Sequence, residues 1–321
     1  MRTLNSPEIH RNMGFWNEPT QQGILDIEVA IAGNGGTGNM FGMAAARLGV
    51  QKFRTADPEV FDAVNSNRVM GARVDTIGRN KAEVLKEDIL AINPDAQVVT
   101  YTDGITPENI GDFLQSADIV LNGTELTMPH LGVMLAREAR NRKINGERSP
   151  LPIIDVEYIG HAGQGMVFDP NSRMTFERFM DIKSFDKNGN DIPLDDLELE
   201  PVSASRYLAY LPPYGDLKTL EAIRNGASLP SNMIGAGVAA QIGLSEVVKI
   251  VRQRAGERGL RPTYAPSVRW YDAYTGKSGE TRHPVQSHYR HLANVVLRNL
   301  THLHEPASYT TEERAARGDV N

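Results

Sequence analysis

Cysteine is absent from all 321 residues of the chain. Without a thiol, the chain supplies no disulfide, no cysteine nucleophile and no thiolate ligand for a metal ion. A protein without disulfides fits the reducing conditions of the cytoplasm, and we therefore expect a cytoplasmic location. Any reaction step that needs a thiol must take it from another molecule.

The chain also lacks an excess of positive charge and a long apolar run. Its formal net charge is −6, which argues against nucleic acid as a partner. The first residues are polar, so we expect no secretory signal. The most apolar stretch, residues 233–251, contains Gln241, Glu246 and Lys249, which favours a buried helix over a membrane span. A hydrophobic content of 40% is enough for a sizeable core.

A glycine-rich turn separates a predicted strand from a predicted helix near the start of the chain. The turn is Gly33-Asn34-Gly35-Gly36-Thr37-Gly38, with the strand over residues 28–32 and the helix over residues 39–48. Glycine lets the backbone turn tightly and approach a phosphate closely, and the start of the helix offers free N–H groups to the anion. The pattern is typical of a nucleotide-binding βαβ unit, with a plain strand-to-helix turn as the alternative.

The residues that follow the turn add a carboxylate and two cations. Asp57 ends the second predicted strand, where a carboxylate can accept hydrogen bonds from both ribose hydroxyls of NAD, FAD or ATP. Arg68 ends a polar loop, and Lys81 begins a helix predicted over residues 80–93. A triphosphate that is cleaved needs fixed cations where charge develops, so these residues favour ATP. Ordinary surface charge is the alternative interpretation of both cations.

Taken together, the motifs in residues 33–82 resemble the ThiF/MoeB/HesA family of adenylyltransferases, which are similar to ubiquitin-activating enzymes. The family pattern is a GxGGxG turn, Asp-x-Asp, Ser-Asn-Leu-x-Arg-Gln and Gly-x-x-Lys-Ala. The corresponding segments are residues 33–38, Asp57-Pro58-Glu59, Val64-Asn65-Ser66-Asn67-Arg68 and Gly78-Arg79-Asn80-Lys81-Ala82. The resemblance implies an α/β fold that is Rossmann-like and doubly wound, with a mostly parallel sheet and a C-terminal extension of strands and helix.

The resemblance also implies which residues bind the nucleotide, with ATP as the cofactor. Asp57 would hold the ribose, and the catalytic cations Arg68 and Lys81 would hold the phosphates together with Asn65. The other contacts to the nucleotide would come from Gly33, Gly35, Gly36, Gly38, Glu59 and Asn122. Arg11, in Ile9-His10-Arg11-Asn12, resembles a family arginine that reaches the phosphates of a partner subunit. The chain would then act as a homodimer, with a solvated N-terminal arginine as the alternative.

The end of the strand predicted over residues 118–122 departs from the family pattern. The family has Asp-x-x-Asp here, and its second Asp is a ligand of Mg²⁺; this chain has Asn122 and Glu125. Glu125 can still offer a carboxylate oxygen to Mg²⁺, whereas Asn122 offers only a neutral amide oxygen. We therefore expect Glu125 to be the metal ligand. An acid that favours a helix N-terminus is the alternative explanation for Glu125.

The reaction implied by the resemblance is the activation of a carboxylate by ATP, which gives an acyl-adenylate and pyrophosphate. Because the chain has no cysteine, the adenylate must meet a nucleophile from elsewhere. We expect the substrate to be a peptide, the C-terminus of a small protein or a small carboxylate, with no membrane involved. Two alternatives stay open: a non-catalytic partner subunit of an activating-enzyme-like heterodimer, and an oxidoreductase that depends on NAD(P) or FAD.

The predicted elements and the family resemblance together imply a division of the chain into five segments. These are an N-terminal arm (1–26), a nucleotide-binding α/β domain (27–179), a variable crossover and substrate region (180–231), core-closing helices and a strand (232–304) and a loose tail (305–321). Within them we predict a helix over residues 107–114 with Thr106 as its N-cap, a strand over residues 269–274 and a helix over residues 285–303. Small residues in the helix near residue 240 would allow it to pack closely on the sheet.

Overall fold

The computed structural model describes residues 1–124, 129–180, 182–197 and 230–282. The strands are β1 Glu28–Ala32, β2 Lys52–Ala56, β3 Gln97–Tyr101, β4 Ile119–Asn122, β5 Lys143–Ile144, β6 Glu147–Arg148, β7 Ile153–Ile159, β8 Ala162–Phe168, β9 Ser267–Asp272 and β10 Lys277–Arg282. The helices are α1 Glu18–Asp26, α2 Gly36–Leu48, α3 Lys81–Ile92, α4 Ile110–Leu114, α5 Pro129–Asn141, α6 Phe176–Phe179 and α7 Met233–Arg254. The predicted helix over residues 285–303, the predicted tail and much of the predicted crossover lie outside the described residues. The division into five segments stays a prediction.

An eight-stranded sheet organises the fold, in the order β10-β9-β8-β7-β4-β1-β2-β3. The strands β3, β2, β1, β4 and β7 run parallel, and β8, β9 and β10 continue the sheet with antiparallel pairing. The chain adds β2 and β3 on one side of β1 and then returns to place β4 on the other side. The carboxyl ends of β1 and β4 therefore border the crevice where open α/β sheets bind ligands. The predicted fold class is confirmed.

Both faces of the central strand β1 are covered by helices, as its alternate residues demonstrate. Val29 and Ile31 belong to an apolar core that includes residues of α2, α3 and α7. Ala30 and Ala32 belong to a second core that includes residues of α4, α5 and α6. Burial on both faces explains why the central strands β1 and β4 are nearly continuous apolar runs in the sequence and were predictable from it.

The helix α7 packs on β7, β8 and α2 at distances that only small residues allow. A Cβ on Gly163 of β8 would lie 2.5 Å from the backbone N of Ala239, and one on Gly235 would lie 2.3 Å from the carbonyl oxygen of Gly160. The helix is long and apolar enough to cross a membrane, but 61% of its apolar window is buried inside the protein. The prediction of a buried, closely packed helix is therefore confirmed, and α7 is a core helix.

The start of α4 differs from the prediction. The helix begins at Ile110, and Asn109 rather than Thr106 precedes it. The side chain of Asn109 accepts a hydrogen bond from the backbone N–H of Thr106 at 2.8 Å and donates one to the carbonyl oxygen of Gly104 at 2.8 Å. These bonds hold residues 104–109 in a turn, and the regular helix begins at Ile110 rather than at the predicted residue 107.

We expect Gly163→Ala to destabilise the protein by about 1–3 kcal/mol, because the added methyl group would overlap the backbone of α7. Chemical denaturation of the purified variant measures the change. Gly111→Ala in α4 is the matched control, since a Cβ there meets only the carboxylate of Glu138 at 4.0 Å. Alanine in a helix should leave stability unchanged or raise it by up to about 1 kcal/mol. Equal stabilities of the two variants would contradict the close packing of α7.

Candidate nucleotide-binding site

The glycine turn after β1 brings backbone segments into very close contact. Gly33 has a φ of +86°, and a Cβ on it would lie 2.7 Å from the carbonyl oxygen of Gly123, which follows β4. A Cβ on Gly38 would lie 1.9 Å from the carbonyl oxygen of Gly33, so the turn requires glycine at this position. The helix α2 begins inside the turn, at Gly36, rather than at the predicted Asn39.

Gly35 and Gly36 have different surroundings. A Cβ on Gly35 would meet nothing within 4 Å, so the backbone faces open space at the N-cap of α2. No side chain caps this end of α2, and its first N–H groups have no acceptor within the helix. A Cβ on Gly36, in contrast, would lie 2.5 Å from the hydroxyl oxygen of Tyr158. The space that suits an anion therefore lies beside Gly35, while glycine at position 36 makes room for Tyr158.

Asp57 lies beside the glycine turn, directly after β2. The residue is 6% exposed. Its carboxylate oxygens accept hydrogen bonds from the backbone N–H of Asn34 at 2.7 Å and from that of Glu59 at 2.9 Å. Burial raises the pKa of Asp57, although the charge of Lys81 and these two hydrogen bonds act in the opposite direction. The carboxylate is thus fixed next to the turn, at the end of the neighbouring strand.

Lys81, the first residue of α3, forms an ion pair with Glu59. The Lys81 side chain is 8% exposed, whereas the Glu59 side chain is 68% exposed. The charge of Lys81 also acts on Asp57, so the ammonium group lies near both acids at the end of β2. The structure therefore brings Asp57, Glu59 and Lys81 together. A phosphate that binds Lys81 would have to compete with Glu59.

The loop between β2 and α3 carries Asn65 and Arg68. Its apolar residues form a small core with one residue of α3, namely Phe61, Val69, Ala72 and Val84. The side chain of Asn65 accepts a hydrogen bond from the backbone N–H of Asp62 at 3.0 Å, a local contact that stabilises a short 3-10 segment. Arg68 donates to the carbonyl oxygen of Val64 and to the side-chain oxygen of Asn67, both at 2.9 Å. The guanidinium group of Arg68 is thus held by neutral acceptors.

Tyr158, near the end of β7, connects this loop with the glycine turn. Its hydroxyl lies against Gly36 and hydrogen-bonds with the side chains of Arg68 and Ser231. Burial raises the pKa of Tyr158, and the positive charge of Arg68 lowers it. The side chain of Asn67 strengthens the connection by donating to the carbonyl oxygen of Ser231 at 2.9 Å. Arg68 is therefore held beside the turn by β7 and by the segment that precedes α7.

Asn122, at the end of β4, forms a buried pair with Asp155 of β7. Both residues are 4% exposed. The Asn122 amide donates to a carboxylate oxygen of Asp155 at 2.7 Å, and its oxygen accepts a hydrogen bond from the hydroxyl of Thr124 at 2.8 Å. Burial raises the pKa of Asp155 to about 6, although the hydrogen bond from Asn122 lowers it. The buried amide on β4 thus has a carboxyl group on the next strand as its hydrogen-bond acceptor.

Two candidate residues are not part of this group. Arg11 is exposed and lies in a 3-10 segment, Pro7–Asn12. The neighbouring Asn12 donates to the carbonyl oxygen of Leu48, the last residue of α2, at 3.0 Å. Because α2 is about 20 Å long, Arg11 lies far from the glycine turn of its own chain. Glu125 lies outside the described residues, and within the described ranges no group of three or more His, Cys, Asp or Glu side chains could hold a metal ion.

Asp155 and Tyr158 have no role in the prediction made from the sequence. The signal for Asp155 is a carboxyl group inside an apolar strand, Ile153-Ile154-Asp155-Val156, where an unpaired charge is costly. No comparable signal exists for Tyr158, because aromatic residues are common in strands. Its contact with Gly36 depends on the meeting of two segments that are far apart in the sequence.

Residues 9–291 of the chain match the ThiF family, and the chain therefore belongs to this family. The resemblance found in the sequence motifs is confirmed. Adenylyltransferases are among the proteins of this family to which the chain is similar.

The alignments of the chain with its curated relatives cover only part of the length of those relatives. The chain is 32% identical over 100 residues to the tRNA threonylcarbamoyladenosine dehydratase of Escherichia coli K12, which covers 31% of this chain and 37% of that protein. It is 29% identical over 150 residues to the sulfur carrier protein ThiS adenylyltransferase of the same organism, which covers 47% of this chain and 56% of that protein. The alignments thus include from 37% to 56% of these relatives.

Solved structures share the fold over most of the chain. PaaA has a TM-score of 0.60 and 15% sequence identity, with 88% of this chain and 76% of PaaA covered. Escherichia coli MccB, solved with ATP, has a TM-score of 0.59 and 17% identity, with 88% of this chain and 74% of MccB covered. The shared fold binds ATP in MccB.

We expect the pH dependence of stability to change when Asp155 is replaced by asparagine. The pKa of Asp155 is raised from 3.8 to about 6 in the folded state, so the unfolded chain loses this proton first as the pH rises. Stability from this group is present below about pH 4 and is lost as the pH rises through about 6, by up to about 1.4 kcal/mol per pH unit. The asparagine side chain would keep an acceptor for Asn122 and would not titrate.

Denaturation of wild-type protein and of the Asp155→Asn variant between about pH 4 and pH 7 measures this difference. We expect the stability of the variant relative to wild type to increase across the range. Asp118→Asn, at the opposite end of β4, is the control, because Asp118 accepts the backbone N–H of Glu28 and asparagine can do the same. A constant difference between the Asp155 variant and wild type would mean that Asp155 does not titrate in this range.

Proposed function

We propose that the chain is an ATP-dependent adenylyltransferase that activates a carboxylate as an acyl-adenylate. One observation carries the proposal: a buried carboxylate, an open helix N-terminus and two cations meet at the same strand ends in a chain of the ThiF family. A carboxylate oxygen of the substrate attacks the α-phosphorus of ATP. The bond from the α-phosphorus to its bridging oxygen breaks, and pyrophosphate leaves.

In this proposal each element of the site has one task. Asp57 accepts hydrogen bonds from the ribose hydroxyls. The nucleotide lies against the backbone of the glycine turn, at Gly33, Gly35, Gly36 and Gly38, with Glu59 and Asn122 nearby. Arg68, Lys81 and Asn65 hold the phosphates. The chain contributes positioning and electrostatic stabilisation, because the phosphorus chemistry needs no covalent step on the protein.

Arg11 would complete the site from a second copy of the chain. The arm that carries it is bonded to the far end of α2, so Arg11 cannot reach the glycine turn of its own subunit. A homodimer in which each Arg11 serves the other subunit agrees with this position. The exposure of Arg11 leaves its guanidinium free to cross a subunit interface.

Magnesium is part of the proposal, and the polar groups at the end of β4 and beside it on β7 suit it. Mg²⁺ in such sites takes one or two carboxylates together with phosphate oxygens, rather than a complete cage of protein ligands. Asn122 and Asp155 place an amide and a carboxylate beside this strand end, and Glu125 would be the direct ligand by resemblance. When bound, the metal would neutralise charge on the phosphates.

The absence of cysteine limits what happens to the adenylate. The chain forms no thioester of its own, so the acyl group passes to a nucleophile within the substrate or on another molecule. We infer that the substrate is a peptide, the C-terminus of a small protein or a small carboxylate. MccB has been solved in complex with N-formylated MccA, and this likeness of fold supports the peptide within that set. The reaction would take place in the cytoplasm.

We expect Mg·ATP to stabilise the protein by roughly 2.7 kcal/mol when its concentration is about a hundred times its Kd. Arg68→Ala should weaken the binding about tenfold or more, because it removes a charge-assisted hydrogen bond to a phosphate. Isothermal titration and thermal denaturation with Mg·ATP measure both effects. Arg79→Ala is the matched control, since Arg79 lies in the same loop, is exposed and pairs with Glu87.

The same measurement separates the proposal from its alternatives. Stabilisation by NADH but not by Mg·ATP would point to a dinucleotide-dependent oxidoreductase, against which membership of the ThiF family argues. A protein that binds neither nucleotide would be a non-catalytic partner subunit. Equal losses of affinity in the Arg68 and Arg79 variants would mean that neither arginine is a specific phosphate ligand.

We expect the variants Arg11→Ala and Arg68→Ala to complement each other when mixed. Each variant alone would bind Mg·ATP weakly, since every site would lack one arginine. Random exchange of subunits in a two-fold dimer would give about a quarter of all sites with both arginines. Titration of the mixture should therefore reveal about a quarter of the sites with wild-type affinity.

A mixture of Arg11→Ala with the double variant R11A/R68A is the control, because no intact site can form in it. Weak binding in the first mixture as well as in the control would contradict a role of Arg11 in the other subunit. Wild-type affinity of the Arg11→Ala variant alone would show that Arg11 does not contact the phosphates.

A further inference from the structure

The pair formed by Asn122 and Asp155 lies in one row across three strands at the edge of the site. Asn122 of β4 is in register with Ala32 of β1 on one side and with Asp155 of β7 on the other. The residue after Ala32 is Gly33, the first residue of the glycine turn. Since neighbouring strands are about 4.8 Å apart, the Asp155 carboxyl lies about 10 Å across the sheet from the start of the turn.

The carboxyl group of Asp155 has no cation to balance it within the described ranges. Its side chain accepts a hydrogen bond from the neutral amide of Asn122, and no described Arg, Lys or His forms an ion pair with it. A buried carboxylate without a cation is unfavourable unless something compensates for it. Buried acids of this kind in a ligand crevice are candidates for a functional role.

Asn122 connects Asp155 by hydrogen bonds to the turn that follows β4. The Asn122 amide can donate to Asp155 only with its oxygen directed to Thr124, where it accepts the Thr124 hydroxyl at 2.8 Å. Asp155 therefore fixes the orientation of the Asn122 amide and of the turn at Gly123 and Thr124.

We propose that Asp155 is a positioning residue that supplies, from β7, the negative charge that the nucleotide-bound Mg²⁺ needs at this strand end. The pair of Asn122 and Asp155 carries one negative charge, and this charge lies on β7. Asn122, on the neighbouring strand β4, stands where the family pattern has its first aspartate. Asp155 acts on the cation through Asn122 and through its field in the buried crevice, without being a direct ligand. This inference rests on the proposed function.

The variant Asp155→Asn distinguishes a purely structural role of Asp155 from a role toward the cation. Asparagine retains an oxygen that accepts the Asn122 amide and removes a buried charge, so the fold should be as stable or more stable at neutral pH. Loss of Mg·ATP affinity in a variant of undiminished stability would therefore come from the loss of charge. The double variant N122D/D155N preserves the hydrogen bond with its direction reversed and places the charge on β4.

The test measures the Kd of the full chain for ATP with excess Mg²⁺ and for ATP with EDTA, by isothermal titration. In wild type we expect Mg²⁺ to tighten binding. In Asp155→Asn we expect this gain to fall about tenfold, the usual effect of removing a group that supports a metal ligand, with metal-free binding nearly unchanged. N122D/D155N should recover most of the gain, and the control Asp118→Asn should retain all of it.

If Mg²⁺ raises the ATP affinity of Asp155→Asn as much as it raises that of wild type, this inference is overturned and the proposed function is left intact. The inference also fails if N122D/D155N binds Mg·ATP no better than Asp155→Asn, because the charge itself would then not be what matters. Wild-type protein that does not bind ATP at all would overturn the proposed function, and the inference with it. Thermal denaturation of every variant without ligand verifies that the comparison is made between folded proteins.

Discussion

The close approach of the backbone at the glycine turn determines the geometry of the whole site. Gly33 donates its N–H to the carbonyl oxygen of Ala56 at 2.9 Å, and Gly123 donates to that of Ala32 at 2.9 Å. These bonds continue the sheet beyond its strands and align the ends of β1, β2 and β4. Because side chains at Gly33 or Gly38 would overlap backbone atoms, glycine at these positions is a requirement of the fold before any ligand binds.

The alignment explains why the parallel core was predictable from the sequence. Strands buried on both faces are apolar runs, and the polar residues that follow them gather at one edge of the sheet. Asp57, Glu59 and Lys81 come from nearby positions in the sequence, so their meeting could be anticipated from the motif. The functional roles assigned to these residues stay predictions.

Contacts between distant segments were beyond the reach of sequence patterns. The pairing of Asn122 with Asp155 depends on which strand lies beside β4, and the sequence does not specify that neighbour. Local side-chain bonds also moved element boundaries: β9 ends at Asp272 rather than at residue 274, because the Asp272 carboxylate accepts the N–H of Tyr274 and the hydroxyl of Thr275 in a turn. Such bonds compete with regular structure without changing the apolar pattern.

The two cations of the site differ in how readily they could turn to a ligand. Lys81 is buried and paired with an acid, so a phosphate must replace an existing ion pair. Arg68 is held by neutral oxygen atoms and by Tyr158, and its charge has no described carboxylate partner. An anion beside Gly35 would therefore gain more from Arg68 than from Lys81, since no ion pair of Arg68 with a described residue has to be broken.

The position of Arg11 has a different consequence, for enzyme kinetics. Arg11 lies about one helix length from the glycine turn of its own subunit, so under the proposed function a separated subunit would have an incomplete site. Catalysis would then depend on the second power of protein concentration below the dissociation constant of the dimer, and dilution alone would switch the enzyme off.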